Sequence, residues 1–233
     1  MRLEALRQAV CDANRRLVNE GLVSLTWGNV SGIDRASGLV AIKPSGVAYD
    51  QLTPANIVLV DLEGHAVEDA LSPSSDTPTH VRLYRAFGQI GGITHTHSPK
   101  ATAFAQARRA IPCLGTTHAD HFVTAVPVAR PLTAEEVDEA YEANTGRVIV
   151  ECFESAASLD AQTTPGVLVA GHAPFAWGHD PSASVDNAVA LEACAAMALD
   201  TFRLCGGAEE VPELEPYVLD KHHQRKHGPA AYY

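Results

Sequence analysis

Apolar positions along the chain follow two periods, one typical of helices and one typical of short strands. Near the start, Leu3, Leu6, Val10 and Leu17 share one face of a predicted helix that ends before Gly21. Elsewhere, β-branched runs bounded by glycine or proline predict strands. The predicted strands cover residues 22–26, 39–43, 57–60, 91–97, 111–117, 122–128 and 166–170; a turn covers 27–32; helices follow Thr77, Ser98 and Thr133 and cover 184–204.

These elements intermingle along the whole chain, without an internal repeat, a low-complexity linker or a break in composition. A length of 233 residues is enough for one sizeable core. We therefore predict a single α/β domain over residues 1–233. No stretch approaches the roughly 20 apolar residues of a membrane span. The residues after Met1 lack the apolar core of a signal peptide, so we expect a cytoplasmic protein.

The charge and cysteine content narrow the classes of partner. A formal net charge of −11 argues against nucleic acid and against an anionic membrane surface. An anionic small molecule would therefore need a locally positive pocket. The five cysteines are scattered and form no Cys-x-x-Cys pair, which argues against a disulfide framework and against a thiolate zinc site. Any metal should have nitrogen and oxygen ligands.

A His-Thr-His stretch is the clearest candidate for chemistry. If residues 91–97 form a strand, His95 and His97 project from the same face and can bind one cation through two nitrogens. Two strand histidines can also face solvent or bond to neighbours, and an isolated His-x-His does not decide between these alternatives. Ser98 and Pro99 fit the N-cap and first residue of a following helix.

Two further residues extend this candidate site. His172 follows the predicted strand over 166–170 and would complete a set of three imidazoles with one position open, as catalytic zinc sites have. Asp76 precedes a predicted helix and is the nearest carboxylate candidate for a further ligand. Its simpler role is favourable interaction with the helix dipole, and both roles are compatible.

Three segments have the composition of anion-binding turns. Ser74 and Ser75 lie at a predicted helix N-terminus, where hydroxyls and free backbone N–H groups are available. The Ser45-Gly46 turn offers a hydroxyl and an amide, with the Lys43 ammonium nearby, and Gly28-Asn29 offers a side-chain amide. Each segment alone is weak evidence, because such turns are common. Together they would supply the local positive potential that an anionic substrate needs.

Several of these stretches together resemble one family. The segments are LTWGNVS (25–31), IKPSGV (42–47), PSSDTPTH (73–80), GITHTHS (92–98), GTTHAD (115–120), PFAWG (174–178) and LDKH (219–222). In this order they resemble the class II aldolase/adducin family, and within it the L-ribulose-5-phosphate 4-epimerases. The resemblance covers almost the whole chain.

The resemblance implies a fold and a set of roles. The family fold is a three-layer α/β/α domain around a largely antiparallel sheet, assembled as a homotetramer with sites at subunit interfaces. Positions matching Asp120 and Tyr233, which composition alone would not single out, act as proton donors and acceptors. Positions matching His95, His97, His172 and Asp76 hold a divalent metal, usually Zn²⁺; those matching Gly28, Asn29, Lys43, Ser45, Gly46, Ser74 and Ser75 bind or flank the substrate, chiefly at its phosphate.

The implied reaction interconverts L-ribulose 5-phosphate and D-xylulose 5-phosphate at C4, in L-arabinose catabolism, by cleaving and reforming the C3–C4 bond. A sugar-phosphate aldolase is the closest alternative, but those enzymes carry a glutamate where this chain has Asp76. An epimerase of another pentulose phosphate route also remains open. A non-catalytic adducin-like interaction module and a metal-free globular domain are the alternatives from other classes.

Overall fold

Seven strands form one sheet in the computed structural model, which describes residues 1–68, 71–208, 211–228 and 231–232. The strands are β1 (Asn29–Asp34), β2 (Leu39–Ile42), β3 (Val58–Val60), β4 (Gly92–His95), β5 (Val128–Ala129), β6 (Gly166–Val169) and β7 (Pro174–Gly178). Their order is β3-β2-β1-β4-β7-β6-β5. Every neighbouring pair is antiparallel except β5 and β6, so the predicted, largely antiparallel sheet is confirmed.

Helices cover both faces of the sheet. They are α1 (Glu4–Asn19), α2 (Thr77–Ala86), α3 (Pro99–Ala107), α4 (Thr116–Ala119), α5 (Ala134–Glu154), α6 (Pro181–Leu204) and α7 (Pro216–His227), with 3-10 turns at Tyr49–Gln51 and Pro54–Asn56. The helices α1 and α6 pack on one face, and α2 and α5 pack on the other. The predicted three-layer α/β/α architecture is therefore confirmed.

Alternation along the strands explains why the sheet has two buried faces. In β3, Val58 and Val60 belong to the core beneath α2 and α5, whereas Leu59 belongs to the core beneath α1 and α6. In β7, Trp177 belongs to the core beneath α2 and α5, and Ala176 belongs to the core beneath α1 and α6. Successive side chains of a strand point to opposite faces, so an unbroken apolar run is the expected pattern for a strand covered on both sides.

Local sequence signals locate several elements correctly. The first helix, the strands over 39–43, 57–60 and 166–170, and the helices after Ser98 and over 184–204 are confirmed within a few residues. The Thr133 side chain accepts a bond from the Glu136 backbone, and the Glu136 carboxylate accepts one from the Thr133 backbone, as a capping box predicts. These elements depend on contacts between residues close in sequence.

Two predictions around the first strand are wrong. Residues 22–26 form no strand, because Leu25 has a φ of 53° and a side chain that is 77% exposed, which an extended core strand does not allow. The predicted turn over 27–32 instead contains the start of β1. Pairing with β2 and β4 on both sides makes this segment a strand despite Gly32.

Two elements have no predicted counterpart, and one further region differs from its prediction. Pro174 opens β7, a strand position where its missing N–H is tolerated. Of the extended segments predicted over 111–117 and 122–128, the structure retains an isolated Ile111–Val126 bridge and β5, with α4 between them. The C-terminal stretch contains α7, which no predicted element covers.

The helices offer no candidate for a membrane span. None of those in the described ranges combines the length and apolarity that a bilayer-spanning helix requires.

Candidate metal centre and active site

The three histidines predicted to bind metal converge at one end of the sheet. His95 is the last residue of β4, His97 follows two residues later, and His172 lies in the turn that joins β6 to β7. The pairing of β4 with β7, in which His95 lies opposite Phe175, brings the turn beside the strand end. One candidate ligand atom from each histidine lies within 4.8 Å of the others. The expectation that both β4 histidines lie within the strand is wrong, because β4 ends at His95.

His95 is held in one orientation by its surroundings. Its ring stacks on Phe175, with 4.1 Å between ring centroids, and its Nδ1 lies 3.0 Å from the carbonyl oxygen of Pro174. A carbonyl can only accept, so Nδ1 carries the proton and donates. The other nitrogen, Nε2, is therefore unprotonated and available as a metal ligand.

The other two imidazoles complete a set suited to a divalent cation. The centroid of the His97 ring lies 5.0 Å from that of His95 and 5.2 Å from that of His172. Burial, with the neighbouring histidines, lowers the pKa of His172 to about 4, so it is neutral at physiological pH. Its buried Nδ1 has no hydrogen-bond partner among the described residues. Three imidazoles with nitrogens this close, each with its pKa lowered by burial, fit a Zn²⁺-type ion, and the scattered cysteines offer no competing thiolate set.

Asp76 lies beside the histidines, immediately before α2. The helix begins at Thr77, so Asp76 takes the N-cap position that the sequence predicts for Thr77. The Asn29 side-chain amide donates to Asp76 Oδ2 at 2.6 Å. Burial alone would raise the pKa of the Asp76 carboxyl, but His95 and His80 hold it below its usual value. Asp76 is therefore an ionised carboxylate beside the imidazoles.

The predicted anion-binding turns are adjacent in space. The backbone N–H of Ser74 donates to the Lys43 carbonyl at 3.0 Å, and that of Ser45 donates to the Ser72 carbonyl at 2.9 Å. These bonds join the 43–45 segment to the segment that leads into α2. Gly28 has a φ of 88°, and a Cβ there would lie 2.6 Å from the His95 carbonyl oxygen, so only glycine fits this approach.

Lys43 supplies positive charge from a buried position. Its Nζ lies 5.1 Å from the centroid of the Tyr49 ring and 3.3 Å from the Pro44 carbonyl oxygen. Tyr49 is fixed in turn by donating to the backbone carbonyls of Trp27 and Gly28. Burial lowers the pKa of the Lys43 ammonium. The ammonium has no carboxylate partner among the described residues, which leaves it available to an anion in the adjoining cavity.

One cavity of about 520 Å³ joins all these groups. Its lining comprises Thr26, Trp27, Gly28, Asn29, Lys43, Pro44, Ser45, Gly46, Ser74, Ser75, Asp76, His95, His97 and His172. Every metal-binding and substrate-binding residue predicted from the sequence is on this surface. The volume suits a small metabolite, with candidate cation ligands at one side and hydroxyls and amides at the other. The site could therefore bind a phosphorylated compound whose oxygens also approach a cation.

Asp120, one of the two predicted proton-transfer residues, does not line this cavity. Asp120 follows α4, and its carboxylate accepts bonds from Arg225 at 2.9 Å and His222 at 3.1 Å. His227 also donates to the Asp120 carbonyl oxygen at 2.8 Å. Partial burial would raise the pKa of the Asp120 carboxyl, but hydrogen bonds from Arg225 and His222 hold it below its usual value. Tyr233 lies outside the described residues.

Sequence reasoning missed two aromatic side chains next to the metal site. His80 is fully buried one helical turn after Asp76, and the i to i+4 spacing on α2 could have identified it. Tyr141 follows a break in α5 at Ala140, and its ring centroid lies 6.0 Å from that of His172. No local signal predicts this break, so Tyr141 could not be placed from the sequence.

The chain is thus a three-layer α/β/α domain with a cavity that contains candidate metal-binding histidines. Residues 8–199 match the family described as "Class II Aldolase and Adducin N-terminal domain", and the chain belongs to this family. Its enzymes are metal-dependent and act on sugar phosphates.

Solved structures share the fold. An L-fuculose 1-phosphate aldolase is 24% identical, with a TM-score of 0.77 and 95% of both chains covered. The L-fuculose-1-phosphate aldolase of Thermus thermophilus is 28% identical, with a TM-score of 0.65, over 90% of this chain and 98% of that one. A sugar-phosphate aldolase of Thermotoga maritima is 17% identical, with a TM-score of 0.66, over 88% of this chain and 97% of that one.

Proposed function

We propose that this chain is a metal-dependent L-ribulose-5-phosphate 4-epimerase that interconverts L-ribulose 5-phosphate and D-xylulose 5-phosphate. The observation that carries the proposal is the single cavity in which the histidine cluster faces the serine- and glycine-containing turns. The presence of Asp76 in that cavity, rather than the longer glutamate of the aldolases, favours the epimerase. A cytoplasmic enzyme of L-arabinose catabolism, folded as one domain over residues 1–233, is part of the same proposal.

The chemistry of the substrate explains why such a site is needed. No carbonyl is adjacent to C4 of a 2-ketopentose 5-phosphate, so direct removal of the C4 proton is unfavourable. Cleavage of the C3–C4 bond leaves an electron pair on C3 that delocalises into the C2 ketone as an enediolate. The other product, glycolaldehyde phosphate, can turn over and be attacked on its opposite face. Reforming the bond then inverts C4.

The lining residues have complementary roles in this scheme. Ser45, Gly46, Ser74 and Ser75 hold the phosphate through hydroxyl and backbone N–H groups, with the charge of Lys43 close by. The phosphate thus retains the two-carbon aldehyde while it rotates.

The candidate ligand residues face the other end of the substrate. His95, His97, His172 and Asp76 would hold a divalent cation, which supplies Lewis-acid stabilisation for negative charge on the C2 and C3 oxygens. Asn29 orients the Asp76 carboxylate through its 2.6 Å hydrogen bond.

Two groups must move the proton of the C4 oxygen, one on each face of the aldehyde. We assign them to Asp120 and Tyr233. Asp120 does not line the cavity of its own chain, which supports a homotetramer whose sites lie at subunit interfaces and receive Asp120 from a neighbouring subunit. Closed symmetry permits this arrangement, because every subunit then both receives and supplies a residue.

A sugar-phosphate aldolase is the second candidate. The L-fuculose-1-phosphate aldolases among the structural neighbours favour it. The two functions share the bond cleavage and differ in what happens to the aldehyde. An aldolase releases it, whereas an epimerase retains it and adds it back.

Product analysis distinguishes these functions. Purified protein is loaded with Zn²⁺ and incubated with L-ribulose 5-phosphate, and the sugar phosphates are separated and quantified over time. We expect D-xylulose 5-phosphate as the accumulating product. Release of dihydroxyacetone and glycolaldehyde phosphate in equal amounts would establish the aldolase instead. Protein treated with a chelator serves as the control and should form neither.

A further inference from the structure

A buried chain of hydrogen bonds lies behind the candidate metal centre. Ser31 Oγ, on β1, is 2.7 Å from His80 Nδ1 and 2.8 Å from the Tyr84 hydroxyl, and both of these partners are on α2. His80, Ser31 and Tyr84 are all fully buried. A buried polar chain of this kind is costly unless each member is satisfied, so its proton positions are strongly constrained.

Because the proton positions are constrained, the donor and the acceptor of each hydrogen bond can be assigned. Among the described residues, Ser31 Oγ is the one acceptor within reach of the Tyr84 hydroxyl proton. Tyr84 therefore donates to Ser31, and the single hydroxyl proton of Ser31 is left to donate to His80 Nδ1. Because Nδ1 then accepts, the neutral imidazole carries its proton on Nε2. The opposite direction would leave the Tyr84 proton buried without an acceptor.

The His80 ring lies close to the candidate metal centre, because its centroid is 6.2 Å from that of Phe175, the ring on which His95 stacks. His80 follows Asp76 by one helical turn, and its backbone N–H donates to the Asp76 carbonyl at 3.1 Å. Side chains at i and i+4 lie on the same face of a helix. His80 Nε2 is buried and has no hydrogen-bond partner in the described part of the chain.

We propose that His80 is a positioning residue for the metal centre: when a cation is bound, its buried and so far unpartnered Nε2 donates to the Asp76 carboxylate and holds it towards the histidines. The Tyr84–Ser31 pair sets the tautomer that makes this donation possible. Asp76 is then restrained from two sides, by Asn29 on β1 and by His80 on α2. This inference rests on the proposed metal binding by Asp76 and the three histidines.

Two amide substitutions of His80 distinguish the role of its Nε2 atom from that of its Nδ1 atom. In His80→Gln the side-chain amide can place an N–H near the position of Nε2. In His80→Asn the shorter amide can reach only Ser31. We expect His80→Gln to bind Zn²⁺ within about 3-fold of the wild-type affinity and His80→Asn to bind it about 10- to 100-fold more weakly, the usual effect of removing an outer partner of a ligand.

The affinities are measured by competition with a chromogenic chelator at fixed pH. Thermal unfolding of both variants in excess chelator verifies that they fold in the absence of metal. Equal Zn²⁺ affinities for His80→Gln and His80→Asn would overturn the inference while leaving the metal centre intact. Absence of Zn²⁺ binding by the wild-type protein would overturn the proposed function and this inference together.

The tautomer can be read in the metal-free protein. Long-range ¹H–¹⁵N correlation spectra of the imidazoles distinguish a protonated Nε2 from a protonated Nδ1. We expect His80 to be protonated on Nε2 in the wild type and to shift towards Nδ1 protonation in Tyr84→Phe, in which Ser31 loses its donor. A wild-type ring protonated on Nδ1 would contradict the inference.

Discussion

Two regions of the molecule hold the candidate catalytic groups, and the two regions are built differently. One is the cavity. The other, which we call the α4–α7 platform, consists of α4, Asp120 and the α7 residues that contact Asp120, namely His222, Arg225 and His227. The cavity residues converge within one chain, from β4, the β6–β7 turn and the segments before β1 and α2. In the platform, Asp120 is paired with α7 and contributes nothing to the cavity lining.

In the proposed mechanism, this difference assigns ligand binding to the cavity and proton transfer to the platform. Two polar atoms of cavity residues, Asn29 Oδ1 and His172 Nδ1, are buried and have no hydrogen-bond partner among the described residues. The platform has its carboxylate already held by an arginine and a histidine. The described part of one chain therefore contains the candidate cation and anion pocket without Asp120 in its lining, and we propose that Asp120 serves the pocket of a neighbouring subunit. The predictions below test this division.

Loss of a cavity histidine should have the largest effect. We expect His97→Ala to reduce bound divalent metal from about one ion per chain to near zero. Turnover should fall at least about 10³-fold, because several kcal/mol of charge stabilisation are lost. His97 is exposed, so its removal leaves the core intact. Elemental analysis and the product assay measure both quantities. The exposed His65 is the matched control, and full metal content in His97→Ala would remove His97 from the ligand set.

Loss of a proton-transfer group should affect turnover and leave metal content unchanged. We expect Asp120→Asn and Tyr233→Phe each to lower kcat by about 10²- to 10⁴-fold, the range typical of general acid–base groups. Steady-state kinetics and elemental analysis on the same preparations test this. Wild-type rates in either variant would exclude that residue from the mechanism, and loss of metal in Asp120→Asn would place Asp120 in the cavity after all.

Mixing two inactive variants tests whether the sites are shared between subunits. His97→Ala lacks a complete cavity and Asp120→Asn lacks a competent platform. If each site takes its Asp120 from a neighbour, random reassembly of equal amounts restores about a quarter of the wild-type sites. Activity is measured after the mixture has been dissociated and reassembled, with each variant treated alone as the control. No recovery in correctly assembled mixtures would show that each chain uses its own Asp120.

Loss of a phosphate-binding hydroxyl should have a smaller effect, seen mainly in KM. A hydrogen bond to a charged group is worth about 1.5–3 kcal/mol, so we expect Ser45→Ala and Ser74→Ala each to raise KM about 10- to 100-fold. The exposed hairpin residue Ser37 provides a control substitution. Inhibition by inorganic phosphate should weaken in parallel. Unchanged phosphate inhibition in both variants would place the phosphate elsewhere.

The platform should also be sensitive to acid. The folded-state pKa of Asp120 lies below the unfolded value of about 3.9. Its ion pairing thus contributes stability that is fully present above about pH 4 and is lost as the pH falls through the folded-state pKa. Thermal unfolding of the wild type and Asp120→Asn in chelator should differ at about pH 6, and the difference should shrink towards about pH 3. A pH-independent difference would argue against this ion pair as its source.

The sequence predicted the elements whose signals are local. Helix α1 has a regular apolar stripe, α5 opens with the Thr133 and Glu136 capping box, and β3 is a short β-branched run. The same local signals failed at residues 22–26, where Leu25 has an apolar side chain but turns outwards. They also failed at β1, whose Asn-Val-Ser-Gly composition is typical of a turn. In both cases tertiary contacts override weak propensities.

The site was predictable in its residue types and family pattern, but not in its assembly. The His-Thr-His spacing suggested a metal pair, yet β4 ends between the two histidines, and the convergence with His172 depends on the β4–β7 pairing. The carboxylate of Asp76 could be proposed from the sequence, whereas its contact with Asn29 spans 47 positions and requires β1 to lie beside β4.

The sequence by itself determined the periods of the helices and core strands, the lack of a Cys-x-x-Cys pair and the side chains available for metal and phosphate. Tertiary structure alone decided that β1 lies between β2 and β4, that His80 is buried behind Asp76, and that Asp120 pairs with α7 instead of lining the cavity. The reason is physical. Periodicity and capping depend on neighbours within a few positions, whereas strand order and convergence depend on which distant segments bury the most apolar surface together.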